Sequence, residues 1–183
     1  MNPNYLSLIS LALAVLAAFL FVFKWPHFLL FAAVAVLASG LFDALDGEVA
    51  RISSKASKRG DFVDHVIDRY SDALILAAIA LSPRCPVSFG LFAVIGVLLA
   101  SYMGTQAQAL GLGREYRGIL GRADRIAVIV IVSLVQYFFE IGGTDQVNDI
   151  FGYSLIAWMM IYFGLAGNIT AVQRAGLIWK SLS

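Results

Sequence analysis

The stretch FDALDGEVARISSKASKRGDFVDHVIDRYSDA, from Phe42 to Ala73, holds six aspartates and one glutamate of the chain's 12 acidic residues. Asp43 and Asp46 stand three apart, so on a helix both carboxylates project from one face. A polar connection follows from Arg51 to Gly60. Beyond it Asp61, Asp64, Asp68 and Asp72 recur at i, i+3, i+7 and i+11, one continuous helical stripe that runs into the apolar residues after Ala73. The stretch therefore reads as two helices joined by a polar turn, each presenting a carboxylate face near its end.

The surrounding chain is apolar. Of 183 residues, 60% are hydrophobic and 14% charged, against about 45–50% and about 25% in soluble domains. A spanning helix needs roughly 20 mostly apolar residues. The runs that fit are Tyr5–Phe23, Phe28–Leu45, Val63–Leu81, Val87–Leu110, Ile126–Phe139 and Ile150–Ala171. The expected fold is all-α, an integral membrane bundle of six transmembrane helices, with residues 1–183 forming a single membrane domain. The first run does not read as a signal peptide, since no basic residue precedes it and no small-residue cleavage site stands before Lys24.

Basic residues orient the bundle. With the N-terminus in the cytoplasm, Arg51, Lys55, Lys58, Arg59, Arg114, Arg117, Arg122, Arg125, Arg174 and Lys180 fall on the inner side, and only Lys24 and Arg84 on the outer. Both termini are expected to be cytoplasmic, in a multi-pass protein of the cell membrane. The acids lie at the same cytoplasmic face. Cys85 is the single cysteine, so no internal disulfide can form.

Carboxylates crowded at a membrane boundary repel one another and resist desolvation unless something cationic joins them. Four or more carboxylates, with no thiolate and little imidazole, suit hard oxygen-seeking cations such as Mg²⁺ or Mn²⁺. The plainer reading is a solvated helix-end face. It fits Asp68 and Asp72 poorly, because they lie within an apolar run. Asp72 has a structural alternative of its own, an ion pair with Arg69 or Arg125.

Written out, the pattern is D43-x2-D46-G47-x2-A50-R51-x8-G60-x3-D64-x3-D68. It resembles the complete signature of the CDP-alcohol phosphatidyltransferase family, and the N-terminal PNYLSLIS resembles the opening of that family's first helix. The resemblance implies six transmembrane helices and an enzyme that passes the phosphatidyl group of a CDP-linked lipid to an alcohol, releasing CMP. It implies two metal ions, Mg²⁺ with Mn²⁺ as an alternative, on Asp43, Asp46, Asp64 and Asp68. Asp68 would be the general base for the acceptor hydroxyl. Gly47 and Ala50 would leave room for the nucleotide and Arg51 would meet its phosphates. Ser57 and Gly60 would complete the CDP-lipid pocket, with Asn4 and Ser7 reaching it from the first helix. Taken alone, Gly47, Ala50 and Gly60 also suit ordinary close helix packing.

The segment SYMGTQAQALGLGREYRGILGRADR, from Ser101 to Arg125, decides the acceptor. Arg114, Arg117, Arg122 and Arg125 crowd it, which the positive-inside rule alone accommodates. An acceptor bearing its own phosphate would need such cations. The segment resembles that of phosphatidylinositol phosphate synthases and their archaeal-lipid counterparts, which implies inositol 1-phosphate as the soluble polar acceptor. Many bacterial members read SYxKARAE here. This chain has Gly104 and Gln106 in place of the lysine and arginine, so the anion site is expected to be rebuilt with Arg114, Arg117 or Arg174. Glycerol phosphate or serine is the alternative acceptor.

Membrane lipids and a homodimer partner follow from the same resemblance, and no nucleic-acid partner is expected. Gly164 and Gly167 on the last run suit close helix approach, at a homodimer interface among other places. A cation or proton transporter is the rival class, since it too uses intramembrane aspartates. It would need acids near the midplane and polar residues continuing outward, whereas here the acids collect at one edge.

Overall fold

The computed structural model describes residues 3–52, 58–113, 115, 117–143 and 151–182. Among these, regular structure is helical: α1 Pro3–Phe21, α2 Pro26–Ile52, α3 Lys58–Ala80, α4 Val87–Ala109, α5 Arg122–Ile141 and α6 Leu155–Ser181. The packed pairs close a ring in the order α1, α2, α5, α6, α4, α3 and back to α1. Inside it lies one apolar core, with Phe21, Leu29, Leu76, Ile79, Ile156, Met160 and Phe163 almost wholly enclosed.

The outside of the ring is apolar as well. Phe19, Phe31, Val34, Leu91, Ile95, Ile131 and Leu165 are exposed on successive helices, a surface far larger than the apolar patches of soluble monomers. The helices α2, α4 and α6 are long and apolar enough to cross a membrane, and Tyr5–Phe21 is a shorter apolar helix. Acids and arginines near the ends of α3 and α5 set those two apart by composition.

In lipid, small residues and polar contacts hold helices together. Ser10 and Ser39 form such a contact between α1 and α2: each hydroxyl donates to the other's backbone carbonyl, at 2.9 and 2.8 Å. The closest approach joins α4 to α6. A Cβ on Gly167 would lie 2.6 Å from the Gly96 carbonyl carbon and 2.8 Å from the Val97 amide nitrogen. The small face expected around Gly164 and Gly167 is thus occupied by α4 of the same chain. Gly167→Ala is expected to cost about 1–3 kcal/mol, because backbone and not a flexible side chain stands in the way. An unchanged melting curve in detergent would mean that the two helices can part freely.

The helix α6 departs from the run Ile150–Ala171. It begins at Leu155, because Phe151 (φ 55°) and Gly152 (φ +80°) turn the chain and the Ser154 hydroxyl caps the helix through the Ala157 amide. It then continues to Ser181, which carries Arg174 into the helix. The helix α5 starts earlier than the apolar run, at Arg122, where the Asp124 carboxylate accepts from the Gly121 amide at 2.9 Å. Arg122 and Arg125 therefore sit on its first turn, and helix geometry fixes their direction.

At the opposite end of the bundle, Arg84 gathers four elements. Its guanidinium makes two parallel hydrogen bonds to Glu140 of α5, each 2.7 Å. It also donates to the carbonyls of Phe23 and Lys24 between α1 and α2, while its own carbonyl accepts from Ser154 before α6.

Candidate functional site

The four-aspartate stripe of α3 descends into the bundle. Side-chain exposure falls from 65% at Asp61 to 38% at Asp64, 11% at Asp68 and 10% at Asp72. Helical spacing makes the stripe, and its burial grows towards the apolar half of α3. The last turns of α2 bring Asp43 and Asp46 to the same level, both helices packing on α1. One carboxylate oxygen each from Asp43, Asp46 and Asp64 come within 4.8 Å of one another. A second set of the same spacing is Asp64, His65 and Asp68.

These carboxylates fit a divalent cation on the structure's own terms. Asp43 Oδ1 and Asp46 Oδ2 are buried with no hydrogen-bond partner, and such atoms cost free energy unless something cationic or donating meets them. The donor set is almost purely carboxylate oxygen, the chemistry of Mg²⁺ and Mn²⁺. Ser7 of α1 is buried beside the group, its hydroxyl a hydrogen-bonding neighbour of Asp46.

Gly47 distinguishes two readings of the small residues. A Cβ built there meets nothing within 4 Å, so close helix packing is not what a side chain at this position would disturb. The space beside it is open and adjoins the carboxylates. Gly60 is half-buried at the start of α3. The side chains of Asn4, Ala50 and Arg51, and all of Ser57 and Arg114, lie outside the described residues.

Arg122 joins this cradle to a second chamber. Its Nη1 contacts Asp43 and lies 2.5 Å from Asp68 Oδ1. On the far side is a polar cavity of about 310 Å³, walled by Asp68, Arg69, Ser101, Arg122, Arg125 and Arg174 among others. Of the four motif aspartates only Asp68 lines it, so this carboxylate faces both chambers. Arg125 is buried, pairs with Asp72 at 2.5 Å, and keeps its Nε without a hydrogen-bond partner. Guanidinium groups around a small chamber suit a phosphate.

A model of the CDP-alcohol phosphatidyltransferase family matches residues 1–171. The chain belongs to that family. As a CDP-alcohol phosphatidyltransferase it is an enzyme, a transferase of substituted phosphate groups. It is 36% identical to the archaetidylinositol phosphate synthase of Pyrococcus horikoshii over 133 residues, covering 73% of this chain and 69% of that one. The phosphatidylinositol phosphate synthase of Mycobacterium tuberculosis shares the fold. Its crystal structure with CDP-DAG bound matches at TM-score 0.76 and 23% identity, covering 98% of this chain and 87% of that one. Its complex with manganese and citrate matches at TM-score 0.77 and 24% identity, covering 98% and 83%.

Not every arginine expected at the phosphatidyltransferase's second chamber reaches it. The Arg117 guanidinium is exposed and turned to Glu115, with Nη2–Oε2 at 2.7 Å, and it does not line the cavity. These hydrogen bonds hold the Glu115 carboxyl down to about 2. Arg174 of α6 stands in the wall instead. It donates to the Arg117 carbonyl at 2.8 Å and the Ala100 carbonyl at 2.6 Å. Gly104 makes room for it, since a Cβ there would lie 3.1 Å from Arg174 Nη1 and 2.9 Å from the Glu115 carbonyl oxygen. Arg69 also lines the chamber, although in the sequence it stands out only as a possible partner for Asp72. Its signal is the i+1 position after Asp68, which sets it on the flank of the acidic stripe.

Proposed function

We propose that this phosphatidyltransferase moves the phosphatidyl or archaetidyl group of a CDP-linked lipid onto a hydroxyl of inositol 1-phosphate, releasing CMP. The observation that carries the reading is Asp68, a carboxylate shared by an acidic cradle on one side and an arginine-walled cavity on the other. The naming of the Pyrococcus relative supports inositol phosphate as the acceptor.

In this reading Asp43, Asp46, Asp64 and Asp68 hold two divalent ions, Mg²⁺ with Mn²⁺ as a substitute. Bound there, such ions supply positive charge to the pyrophosphate oxygens as the leaving phosphate departs. The open face of Gly47 takes the CDP moiety, with Asn4, Ser7, Ala50, Arg51, Ser57 and Gly60 around it. Arg125, Arg174 and Arg69 receive the acceptor's phosphate. Asp68 takes the proton of the acceptor hydroxyl; the hydroxyl oxygen bonds to the lipid-bearing phosphorus, and the bond from that phosphorus to the bridging oxygen breaks, so CMP leaves.

The chain is read as a single domain, 1–183, crossing the cell membrane six times with both termini in the cytoplasm. Arg122, Arg125, Arg174 and Lys180 gather at the end that carries the aspartates, the cytoplasmic side by the positive-inside rule. A homodimer completes the proposal by family likeness.

Purified protein given a CDP-linked lipid, Mg²⁺ and a panel of inositol 1-phosphate, free inositol, glycerol 3-phosphate and serine is expected to release CMP only with inositol 1-phosphate. Release with glycerol 3-phosphate or serine would overturn the acceptor and keep the chemistry. A protein inert with every acceptor and metal would overturn the chemistry too.

A further inference from the structure

Asp72 lies one helical turn beyond Asp68 and is buried. Its Oδ2 accepts from Arg125 Nη2 at 2.5 Å and from Arg69 Nη1 at 3.2 Å. Its Oδ1 lies 3.9 Å from Arg122 Nε. One carboxylate thus faces three guanidinium groups drawn from α3 and α5. All three arginines line the polar cavity and Asp72 does not, so the acid stands behind the wall that the cations form.

Arg122 is shared with Asp43 and Asp68, whereas the ion pairs of Arg69 and Arg125 both run to Asp72. Asp72 is thus the acid that fixes these two guanidinium groups. Long arginine side chains lose affinity for an anion when they must be ordered at the moment of binding, and a fixed counter-charge removes that cost beforehand.

We infer that Asp72 is a positioning residue for the acceptor phosphate. It holds the heads of Arg125 and Arg69 at the cavity wall in the arrangement the phosphate meets, and it touches neither substrate nor reacting atoms. The inference rests on the phosphorylated-acceptor reading given above.

The test compares KM for inositol 1-phosphate with KM for the CDP-linked lipid in the full chain, for wild type, Asp72→Asn and Asp72→Glu. Carboxylates that orient ligating side chains elsewhere are worth roughly 10–100-fold in affinity. Asp72→Asn keeps the shape and an acceptor oxygen but loses the charge; Asp72→Glu keeps the charge and moves it by one methylene. Both are expected to raise the acceptor KM into that range while the lipid KM stays near wild type. Asp72→Asn also lowers the melting temperature, because it strands the buried Arg125. Asp72→Glu, which keeps the charge, separates positioning from stability. A lower acceptor KM in Asp72→Asn would mean that Asp72 merely dilutes positive charge, and would overturn the inference. So would wild-type values for both constants in both variants, an equal rise in both constants, or failure of both variants to fold, which would mark a purely structural ion pair. If Asp72→Asn alone fails to fold, Asp72→Glu decides. A wild-type enzyme that accepts only unphosphorylated alcohols would overturn the acceptor reading and this inference together; an unaffected acceptor KM in the variants, with wild type requiring the phosphate, overturns this inference alone.

Discussion

Asp68→Asn is expected to reduce CMP release by about 10²–10⁴-fold, the range for removing a positioned proton acceptor, while leaving a folded protein. Asparagine has the same shape, so the buried site keeps its packing. Arg122 keeps its contacts with Asp43 and Asp72, so no guanidinium is left without a counter-charge. The cluster of Asp43, Asp46 and Asp64 is unaltered. What the variant loses is a carboxylate facing the arginine-walled cavity, which in the proposed function is both the proton acceptor and one oxygen donor to the metal ions. The measurements are CMP release, the melting temperature and CDP-lipid binding on the same preparation. A rate within a few-fold of wild type would remove Asp68 from the proposed mechanism. Loss of CDP-lipid binding alongside the rate would assign it to holding the donor instead.

The acidic site was largely legible in the sequence because it is local. Helical spacing alone puts Asp43 beside Asp46 and aligns Asp61, Asp64, Asp68 and Asp72, and the apolar residues beyond Ala73 announce that the stripe enters the bundle. The direction of its grading was legible too: Asp61 remains exposed while Asp68 and Asp72 are enclosed, as their place in an apolar run implies. Not legible was that Arg122 of α5, distant in the chain, meets Asp68. Taken alone Gly47 suited close helix packing, within the motif it suited room for a ligand, and the open space beside it favours the second.

The second chamber was legible only in part, because its wall is built from contacts across long stretches of chain. Arg125 meets Asp72 from 53 residues away and Arg174 reaches the Arg117 carbonyl from 57 away. Charge count favoured Arg117, yet its neighbour Glu115 takes its guanidinium, and Arg117 meets the wall only through its carbonyl, which accepts from Arg174. The small face of α6 was visible at Gly164 and Gly167, but a small face does not name its partner. That partner is α4, whose own Gly96 lets the two backbones meet. The start of α6 was misplaced for a similar reason, since an apolar run does not show where the backbone turns.

Arg84→Ala is expected to give the reverse signature of Asp68→Asn: a large loss of stability and an unchanged rate per folded molecule. Arg84 and Glu140 are buried at the bundle end remote from the carboxylates, with side-chain exposures of 7% and 16%. Removing one partner of such a pair costs about 3–5 kcal/mol, because the other charge is left without compensation. Here, among the described residues, Glu140 would keep Gln136, which donates at 3.1 Å, and the carbonyls of Phe23 and Lys24 would lose the Arg84 donor. Replacing both ends by apolar groups, as in Arg84→Met with Glu140→Leu, removes the stranded charge and is expected to recover most of the loss. Recovery should remain incomplete, since methionine cannot serve the two loop carbonyls. Denaturation in detergent with the single and double variants measures both numbers. A single variant as stable as wild type would mean that water enters this end and solvates Glu140. A single variant that is stable but slow would mean that the clamp reaches the site through α5, whose first turn holds Arg122 and Arg125 and whose last turn holds Glu140.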